Sequence, residues 1–279
     1  MDSIILRLGR TVPAPLRRRI LTPVHAIRFF NTYFRRQTMA ILPTLISTRE
    51  THNFTYDLTE RNFRYLSEMI AIVTQKKPEE IAGYIDEAIA DVALNEHFNA
   101  AMQTLGEPSR RNIRSPFGRR LGWYAITRAM KPKVVVETGV ERGHGALLLC
   151  AALLRNAAEE QPGRYFGTDI NPKAGALLSG KYAAAGKILY GDSLGSLKNL
   201  KETVDLFIND SDHSADYESQ EFEVMAPKLS AEAIVLGDNA HVTDRLALFS
   251  RNKGRKFLFF REEPKDHWYP GAGIGISFP

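Results

Sequence analysis

The sequence predicts an α/β fold in which a mainly parallel sheet carries helices on both faces and ends in an antiparallel hairpin. From Lys131 onward, short β-rich runs alternate with helical stretches, which is the pattern of repeated βα units. The last two β-rich runs have no helix between them, so they should pair as a hairpin. Seven strands are predicted, at 134–136, 165–168, 188–190, 206–208, 233–236, 256–260 and 273–278. The helices between them are predicted at 145–159, 173–185, 215–228 and 243–252.

An N-terminal helical extension precedes this pattern. Apolar residues recur at helical spacing from Leu58 to Thr74, and a second pattern runs from Pro78 to Leu105, where the proline suits a first helical turn. A polar loop at 106–116 leads to a further helix from Gly118 to Met130. The predicted organisation is a basic arm at 1–50, a helical cap at 51–111 and a catalytic α/β domain at 112–279.

The arm carries most of the positive charge of the chain. Residues 1–50 contain nine arginines and only two acidic residues, a net charge of +7 against +5 for the whole protein. Apolar residues lie between these arginines, a pattern that suits a contact with the same protein, a dimer partner, a membrane surface or nucleic acid. We expect a homodimer formed through this region, and peripheral membrane contact is the alternative.

Composition excludes several classes of protein. Hydrophobic residues make up 44% and charged residues 25% of the chain, as in an ordinary globular protein. No apolar stretch approaches the roughly 20 residues that span a bilayer, and the start lacks a signal-peptide pattern. The single cysteine, Cys150, lies in an apolar run and is expected to be a packed helix residue. These features predict a cytoplasmic protein.

The end of the first predicted strand is rich in glycine and begins with an acidic residue. It reads Glu137, Thr138, Gly139, and two more glycines follow at 143 and 145. Such a turn lets the backbone pass close to a ligand, and the helix that follows attracts a carboxylate to its N-terminus.

The next two strands also end in acidic residues. Asp169, followed by Ile170, would lie where a ribose diol binds, and Asp192 with Ser193 would face an adenine edge. Each residue alone is more often a helix cap or loop residue. Their succession on consecutive strand ends indicates a nucleoside cofactor.

The glycine spacing distinguishes between cofactors. Glycines at 139, 143 and 145 do not form the G-x-G-x-x-G turn of nicotinamide dinucleotide folds. From about residue 118 to the end, the chain instead resembles the class I S-adenosylmethionine-dependent methyltransferases, and Glu137 matches the acidic residue that ends their first strand. The resemblance implies a Rossmann-like methyltransferase fold that binds S-adenosylmethionine.

The fourth and fifth strands end in oxygen-bearing side chains. Asp210, Asp238 and Asn239 form a hard-oxygen set appropriate to Mg²⁺ or another divalent cation, and Asp212 is an alternative ligand to Asp210. His213, three residues after Asp210, could remove a hydroxyl proton because imidazole titrates near neutral pH. From the residues alone, metal binding is no more favoured than a structural role, in which the Asp-Ser-Asp-His loop caps the next helix and the Asp238-Asn239 pair shapes a turn.

A resemblance to O-methyltransferases favours the metal and the base. The Asp210 loop followed by Asp238 and Asn239 is similar to the metal triad of catechol and caffeoyl-CoA O-methyltransferases. The Asp-Ser-Asp-His loop resembles cephamycin-type and macrolide-sugar O-methyltransferases, which implies that His213 is the base. This second group has a Glu-Asp pair where this chain has Asp238 and Asn239, so the ligand assignment stays open.

The resulting hypothesis is a metal-dependent O-methyltransferase that acts on a hydroxyl of a small molecule, such as a sugar, a polyketide or antibiotic intermediate, or a catechol-like diol. Asp210 would also border the cofactor, and His241 and Trp268 are weaker candidates for substrate contact. A nucleic-acid methyltransferase is disfavoured because the fourth strand lacks the Asn/Asp-Pro-Pro-aromatic loop. A catalytically silent scaffold is the remaining alternative.

Overall fold

The computed structural model describes residues 14–35, 38–39, 41–42, 55–107, 113–238 and 240–279. The chain divides into two compact units. The first comprises 1–51 with 266–270, and the second comprises 52–265 with 271–279. The second unit contains both the helices predicted as a cap and the sheet.

The second unit is built on one seven-stranded sheet with the order β3-β2-β1-β4-β5-β7-β6. All strands are parallel except β7, which runs antiparallel to both of its neighbours. The mainly parallel sheet and its C-terminal hairpin are therefore confirmed. The strands are β1 (Val134–Thr138), β2 (Arg164–Asp169), β3 (Gly186–Tyr190), β4 (Val204–Asn209), β5 (Leu229–Asp238), β6 (Lys256–Arg261) and β7 (Gly273–Phe278).

Helices of the second unit pack around the sheet, and α1 belongs to the first unit. The described helices are α1 (Ala14–Tyr33), α2 (Glu60–Thr74), α3 (Pro78–Ala90), α4 (Val92–Thr104), α5 (Leu121–Met130), α6 (His144–Ala158), α7 (Ser193–Asn199), α8 (Ala215–Met225) and α9 (Arg245–Asn252). One core cluster joins β4 to α8 and α9 through the rings of Phe207, Phe222 and Phe249, with centroid separations of 6.4 and 5.4 Å. Cys150 is buried within α6, as predicted.

The predicted helix at 78–105 is two helices. Asp91 interrupts it in an extended conformation, and its carboxylate accepts a hydrogen bond from the Leu94 backbone N–H at 3.0 Å. A short acidic side chain at an N-cap satisfies a donor that the helix itself cannot pair. The chain therefore starts a new helix at Val92 instead of continuing the first.

The predicted helix at 173–185 was wrong. Residues 173–179 form turns, and only a short 3-10 helix follows at Gly180–Ala185. Gly175 adopts a φ of +81°, which the interior of a right-handed helix does not allow, and Gly180, the first residue of the 3-10 helix, has a φ of +55°. A helix that was not predicted, α7, lies instead between β3 and β4.

In the first unit, α1 is an arginine-bearing helix with aromatic side chains close together. The rings of Phe29 and Tyr33 lie 4.6 Å apart, and those of Phe30 and Phe34 lie 6.4 Å apart. Within the described part of the chain, no helix combines the length and the apolar character needed to cross a bilayer. The homodimer and the membrane contact stay predictions, and residues 1–13, 36–37, 40 and 43–50 of the arm lie outside the described residues.

Candidate cofactor and acceptor site

The carboxyl ends of β1, β2 and β4 meet at one edge of the sheet. The backbone N–H of Gly139 donates to the Thr168 carbonyl at 2.9 Å, and that of Asp210 donates to the Thr138 carbonyl at 2.9 Å. Gly139 has a φ of +77°, and a Cβ atom there would lie 2.0 Å from the Asp210 carbonyl oxygen. A Cβ atom would clash here, so only glycine lets the turn after β1 cross the turn after β4. This contact explains why position 139 is a glycine.

Glu137 is the next-to-last residue of β1, and its side chain points into the interior. Its side chain is buried and accepts a hydrogen bond of 2.5 Å from the Tyr165 hydroxyl. Burial raises the pKa of Glu137 to about 8. A Cβ at Gly145 would lie 2.1 Å from the Glu137 Oε1, so this glycine makes room for the carboxyl group. The structure thus places these two predicted cofactor residues in mutual contact.

Asp169 ends β2 and faces the turn after β1. Its two carboxylate oxygens accept hydrogen bonds of 2.8 Å from the backbone N–H groups of Glu141 and Asn171. The next residue, Ile170, is 78% exposed, an unusual degree for a large apolar side chain beside a strand end. Gly143 precedes α6 with no side-chain cap, so the N-terminus of this helix keeps backbone donors near the same edge.

Asp192 follows β3 and is the N-cap of α7. One of its oxygens accepts from the Gly195 backbone N–H at 2.9 Å, and the other accepts from the Tyr217 hydroxyl at 2.7 Å. The Tyr217 hydrogen bond lowers the pKa of Asp192. The side chain is exposed, so it stays an ionised acceptor at the edge of the site.

The buried carboxyl group of Glu221, on α8, links the ends of β1 and β4 and the start of α7 through hydrogen bonds. It accepts hydrogen bonds from four side chains, two of them at 3.0 and 2.8 Å. The four donors are Thr138, Ser193, Asn209 and Ser211. The hydroxyls of Thr138 and Ser193, both predicted to contact the cofactor, are therefore directed at Glu221.

At the end of β5, Asp238 is paired with a buried arginine. The Arg119 Nε donates to the Asp238 Oδ1 at 2.6 Å, and its Nη2 donates to Oδ2. The side chains are only 4% and 1% exposed. Although burial alone would raise it, the pKa of Asp238 lies below its ordinary value because of the Arg119 guanidinium.

Arg119 also donates hydrogen bonds on the side away from Asp238. Its Nη1 donates to the Glu262 Oε1 at 2.8 Å and to the Tyr56 hydroxyl at 2.6 Å. Tyr56 in turn donates to the Glu262 Oε2 at 2.5 Å, and the Ala272 backbone N–H donates to Oε1 at 2.7 Å. We refer to Tyr56, Arg119, Asp238 and Glu262 as the arginine cluster.

Asp210 lies beside this cluster, near a second arginine. Its Oδ2 is 3.7 Å from the Arg120 Nη2, and the Arg120 guanidinium lies over the Trp123 ring at 5.4 Å. Burial and the neighbouring Asp238 raise the pKa of Asp210 well above its ordinary value.

His213 lies between two carboxyl groups on the loop after β4. Its Nε2 is 3.8 Å from the Asp210 Oδ1, and its Nδ1 is 3.8 Å from the Glu218 Oε1. The neighbouring Glu218 carboxylate raises the pKa of His213. Glu218 is buried and also accepts from the Thr243 hydroxyl. The imidazole is 29% exposed, so it remains accessible from the sheet edge.

The residues that the sequence assigned to a metal do not fit one. Both oxygens of Asp238 are bonded to Arg119, and Asn239 lies outside the described residues. Among the described residues, no three His, Cys, Asp or Glu side chains converge as a metal-ligand group. Asp212, the alternative ligand, accepts from the Ser214 backbone N–H at 2.8 Å. The guanidinium groups of Arg119 and Arg120 therefore contact the carboxyl groups that were predicted to bind a metal ion.

The residues at the opposite half of the edge do fit S-adenosylmethionine. Asp169 and Asp192 are carboxylates suited to hydroxyl and amino donors, and the exposed Ile170 offers an apolar surface to an adenine ring. The uncapped N-terminus of α6 suits the carboxylate of the methionine part.

The weaker candidates for substrate contact are His241 and Trp268. His241 is exposed on the turn after β5. Trp268 belongs to the first unit, where its ring stacks on that of His267 with centroids 5.3 Å apart. Their contact with a substrate stays a prediction.

Several residues that build the site were missed from the sequence. Arg119, Arg120, Glu218, Glu221 and Glu262 all lie at or behind the sheet edge. The adjacent arginines at the start of a predicted helix were a usable signal, because charged residues seldom precede an apolar helix without a partner. Nothing local in the sequence indicates which partner.

Comparison with known families bears on the fold. A family model described as a methyltransferase domain matches residues 136–240, which run from β1 to just beyond β5. No curated protein matches the chain.

Solved structures with the same architecture include several methyltransferases. Cofactor-bound Rv0187 from MTB is 15% identical, with 67% of this chain and 90% of that chain covered and a TM-score of 0.50. The O-methyltransferase TomG from Streptomyces achromogenes, solved with SAM, is 14% identical, with 67% and 89% covered and a TM-score of 0.49. A methyltransferase from Podospora anserina, solved with SAH, is 19% identical, with 67% and 87% covered and a TM-score of 0.47. The sheet order and the likeness to Rv0187 confirm the predicted Rossmann-like methyltransferase fold.

Proposed function

We propose that this protein is an S-adenosylmethionine-dependent O-methyltransferase that methylates a hydroxyl group of a small molecule. The observation that carries the proposal is the placement of His213 between Glu218 and Asp210, directly after β4. In open α/β sheets, ligands bind beyond the carboxyl ends of the strands. A base on this loop meets an acceptor beside the cofactor.

The cofactor site uses the edge formed by β1, β2 and β3. Asp169 would hold the ribose hydroxyls, and Asp192 would hold the adenine amino group. Ile170 would offer its apolar side chain to the base. Thr138 and Ser193 would contribute only main-chain groups, because their hydroxyls are bonded to Glu221.

Proton removal is the task of His213. When bound, S-adenosylmethionine supplies an electrophilic methyl group on a sulfonium centre. Glu218 favours the protonated form of the imidazole, so the acceptor proton moves to His213 as the hydroxyl oxygen bonds to the methyl carbon, the sulfur–methyl bond breaks and the thioether is released. This arrangement is the one in which a carboxylate stabilises the imidazolium that forms during catalysis. No step in this scheme passes through a metal.

The acceptor we propose is a sugar, a phenol or a hydroxylated natural-product intermediate. His213 keeps 29% of its side chain exposed, which admits a small hydroxylated molecule more readily than a base held in a duplex. We propose a cytoplasmic location for this activity.

Calorimetric titration with S-adenosylhomocysteine tests the cofactor assignment. The folded protein should bind it and should not bind NAD. Asp169→Asn should weaken binding about tenfold or more, since it removes a charge-assisted acceptor. Asp205→Asn is the matched control, because Asp205 also accepts two backbone N–H bonds but lies at the opposite end of the strands. Failure of a folded protein to bind the nucleoside would favour a catalytically silent scaffold.

Methyl transfer itself is measured as release of S-adenosylhomocysteine with a panel of sugars, phenols and catechols. His213→Ala should lower turnover by about 10²-fold or more while leaving cofactor binding unchanged. Transfer to a nucleic acid, or to nitrogen acceptors alone, would contradict O-methylation.

A further inference from the structure

The arginine cluster occupies the position at the ends of β4 and β5 where the sequence predicted a divalent cation. Both carboxylate oxygens of Asp238 accept hydrogen bonds from Arg119. A cation bound through Asp238 would have to displace this guanidinium or lie against it. Two positive charges sharing one carboxylate in a buried setting repel strongly.

Arg119 is not free to move aside for a cation. On the side away from Asp238, Glu262 and Tyr56 accept from the Arg119 Nη1 at 2.8 and 2.6 Å. The Tyr56 ring packs over Gly118, where a Cβ atom would lie 2.5 Å from the Tyr56 Cε2. Displacing Arg119 would leave Glu262 buried and without its charged partner, which is costly.

Two guanidinium groups lie at this position. Arg119 pairs with Asp238 and Glu262, and the Arg120 Nη2 lies 3.7 Å from the Asp210 Oδ2. A divalent cation is attracted to sites that carry net negative charge. The two arginines offset the carboxylates on which such a cation would depend.

We propose that Arg119 takes the place of a divalent cation in this site, so that methyl transfer by this protein proceeds without a metal. The inference rests on the proposed O-methyltransferase function and deepens it. Arg119 is a positioning residue that fixes Asp238 beside Asp210 and His213. Since no metal chelates the acceptor, a single hydroxyl suffices and a vicinal diol is not required.

Titration of the full-length protein with Mn²⁺ tests the proposal without any acceptor. Mn²⁺ is a probe for oxygen-ligand sites, and its binding can be followed by electron paramagnetic resonance after the protein has been treated with a chelator. We expect no saturable binding, with or without S-adenosylhomocysteine. One Mn²⁺ bound per chain, and lost in Asp238→Asn, would overturn the proposal.

Two substitutions at Arg119 give the matched comparison. Arg119→Met removes the charge and frees Asp238, so saturable Mn²⁺ binding should appear in this variant. Arg119→Lys keeps the charge and should bind no more Mn²⁺ than the unaltered protein. Equal Mn²⁺ affinity in a folded Arg119→Met variant and in Arg119→Lys would contradict the proposal. If Arg119→Met does not fold, the titration of the unaltered protein decides alone.

The Mn²⁺ titration tests the role of Arg119, whereas binding of S-adenosylhomocysteine tests the proposed function, so either can fail without the other. Binding of S-adenosylhomocysteine together with saturable Mn²⁺ binding would retain the methyltransferase and reject the role of Arg119. Once an acceptor is known, turnover in EDTA should equal turnover in Mg²⁺, and a drop of about tenfold or more in EDTA would overturn metal independence.

Discussion

Arg119 and Asp238, 119 residues apart in the chain, form a two-point ion pair in the interior beside the candidate site. The guanidinium comes from the short helix before α5, and the carboxylate ends β5. The pair therefore joins the segment that enters the α/β domain to the strand that carries the acceptor side of the site.

Breaking this pair should cost substantial stability. Asp238→Asn keeps the side-chain shape but removes the negative charge, which leaves a buried guanidinium with half of its ionic partners. We expect the free energy of unfolding to fall by about 3 kcal/mol, measured by denaturant titration. Glu263→Gln is the control, because Glu263 accepts two bonds from Arg61 at an exposed position, at 2.8 and 2.6 Å. An equal loss in both variants would show that burial of the pair is not what stabilises it.

The crossing of the two turns at Gly139 gives a second prediction. Gly139→Ala should destabilise the protein and weaken binding of S-adenosylhomocysteine, since the new Cβ meets the Asp210 carbonyl oxygen. Gly106→Ala is a closely matched control, with a φ of +75° against +77° but no atom within 4 Å of the new Cβ. The control should lose about 1 kcal/mol from backbone strain, and Gly139→Ala should lose about 2 kcal/mol more from the clash. Similar losses, found by thermal and denaturant unfolding, would argue against the clash.

The sheet was predictable because each strand carries its own signal. Runs such as Val134, Val135 and Val136 are β-branched and apolar, and a buried parallel strand requires that composition. The two helical errors have local causes. Alanines at 183–185 suggested a helix that Gly175 and Gly180 prevent, and α7 contains Gly195 and is too short to show a periodic apolar face.

The sequence could predict only those site residues whose location follows from their position at the end of a strand. Asp169, Asp192, Asp210 and Asp238 end strands, so topology alone brings them to one edge. What each carboxyl group binds depends on distant residues. Glu221 and Arg119 meet their partners through tertiary packing, and no spacing in the sequence reports such a contact. The metal prediction followed from counting oxygen ligands without their arginine partners.

The buried Glu137 predicts an unusual dependence of stability on pH. Its pKa is raised from 4.5 to about 8 in the folded protein, so folding favours the protonated form. This contribution is complete below pH 4.5 and is lost as the pH rises toward 8. Glu137→Gln does not titrate, so its stability relative to the unaltered protein should rise between pH 5 and 8, by at most about 1.4 kcal/mol per unit.

Denaturant unfolding at several pH values measures this difference. The control is Glu232→Gln on β5, which replaces an exposed carboxylate and should show no such trend. A constant difference between Glu137→Gln and the unaltered protein across this range would mean that Glu137 is ionised in the fold.

The pair formed by His213 and Glu218 predicts the dependence of turnover on pH. A base accepts a proton only when its imidazole is neutral, so kcat/KM should rise with pH and level off above the pKa of His213. Glu218 raises this pKa from its ordinary 6.5, so the half-maximal rate should lie above pH 6.5. Glu218→Gln removes the carboxylate charge and should move the profile to lower pH by about one unit. The profile is measured at saturating S-adenosylmethionine with the identified acceptor.

The matched control for this shift is Glu223→Gln, on the same helix as Glu218. Glu223 is paired with Lys253 at 2.8 Å on the surface, so its replacement should leave the profile in place. The two variants separate a local effect on the imidazole from a general loss of negative charge on α8. A profile that moves equally in both would point to the surface charge, whereas one that moves in neither would remove His213 from the role of base. A shift confined to Glu218→Gln ties proton removal to the geometry at the end of β4.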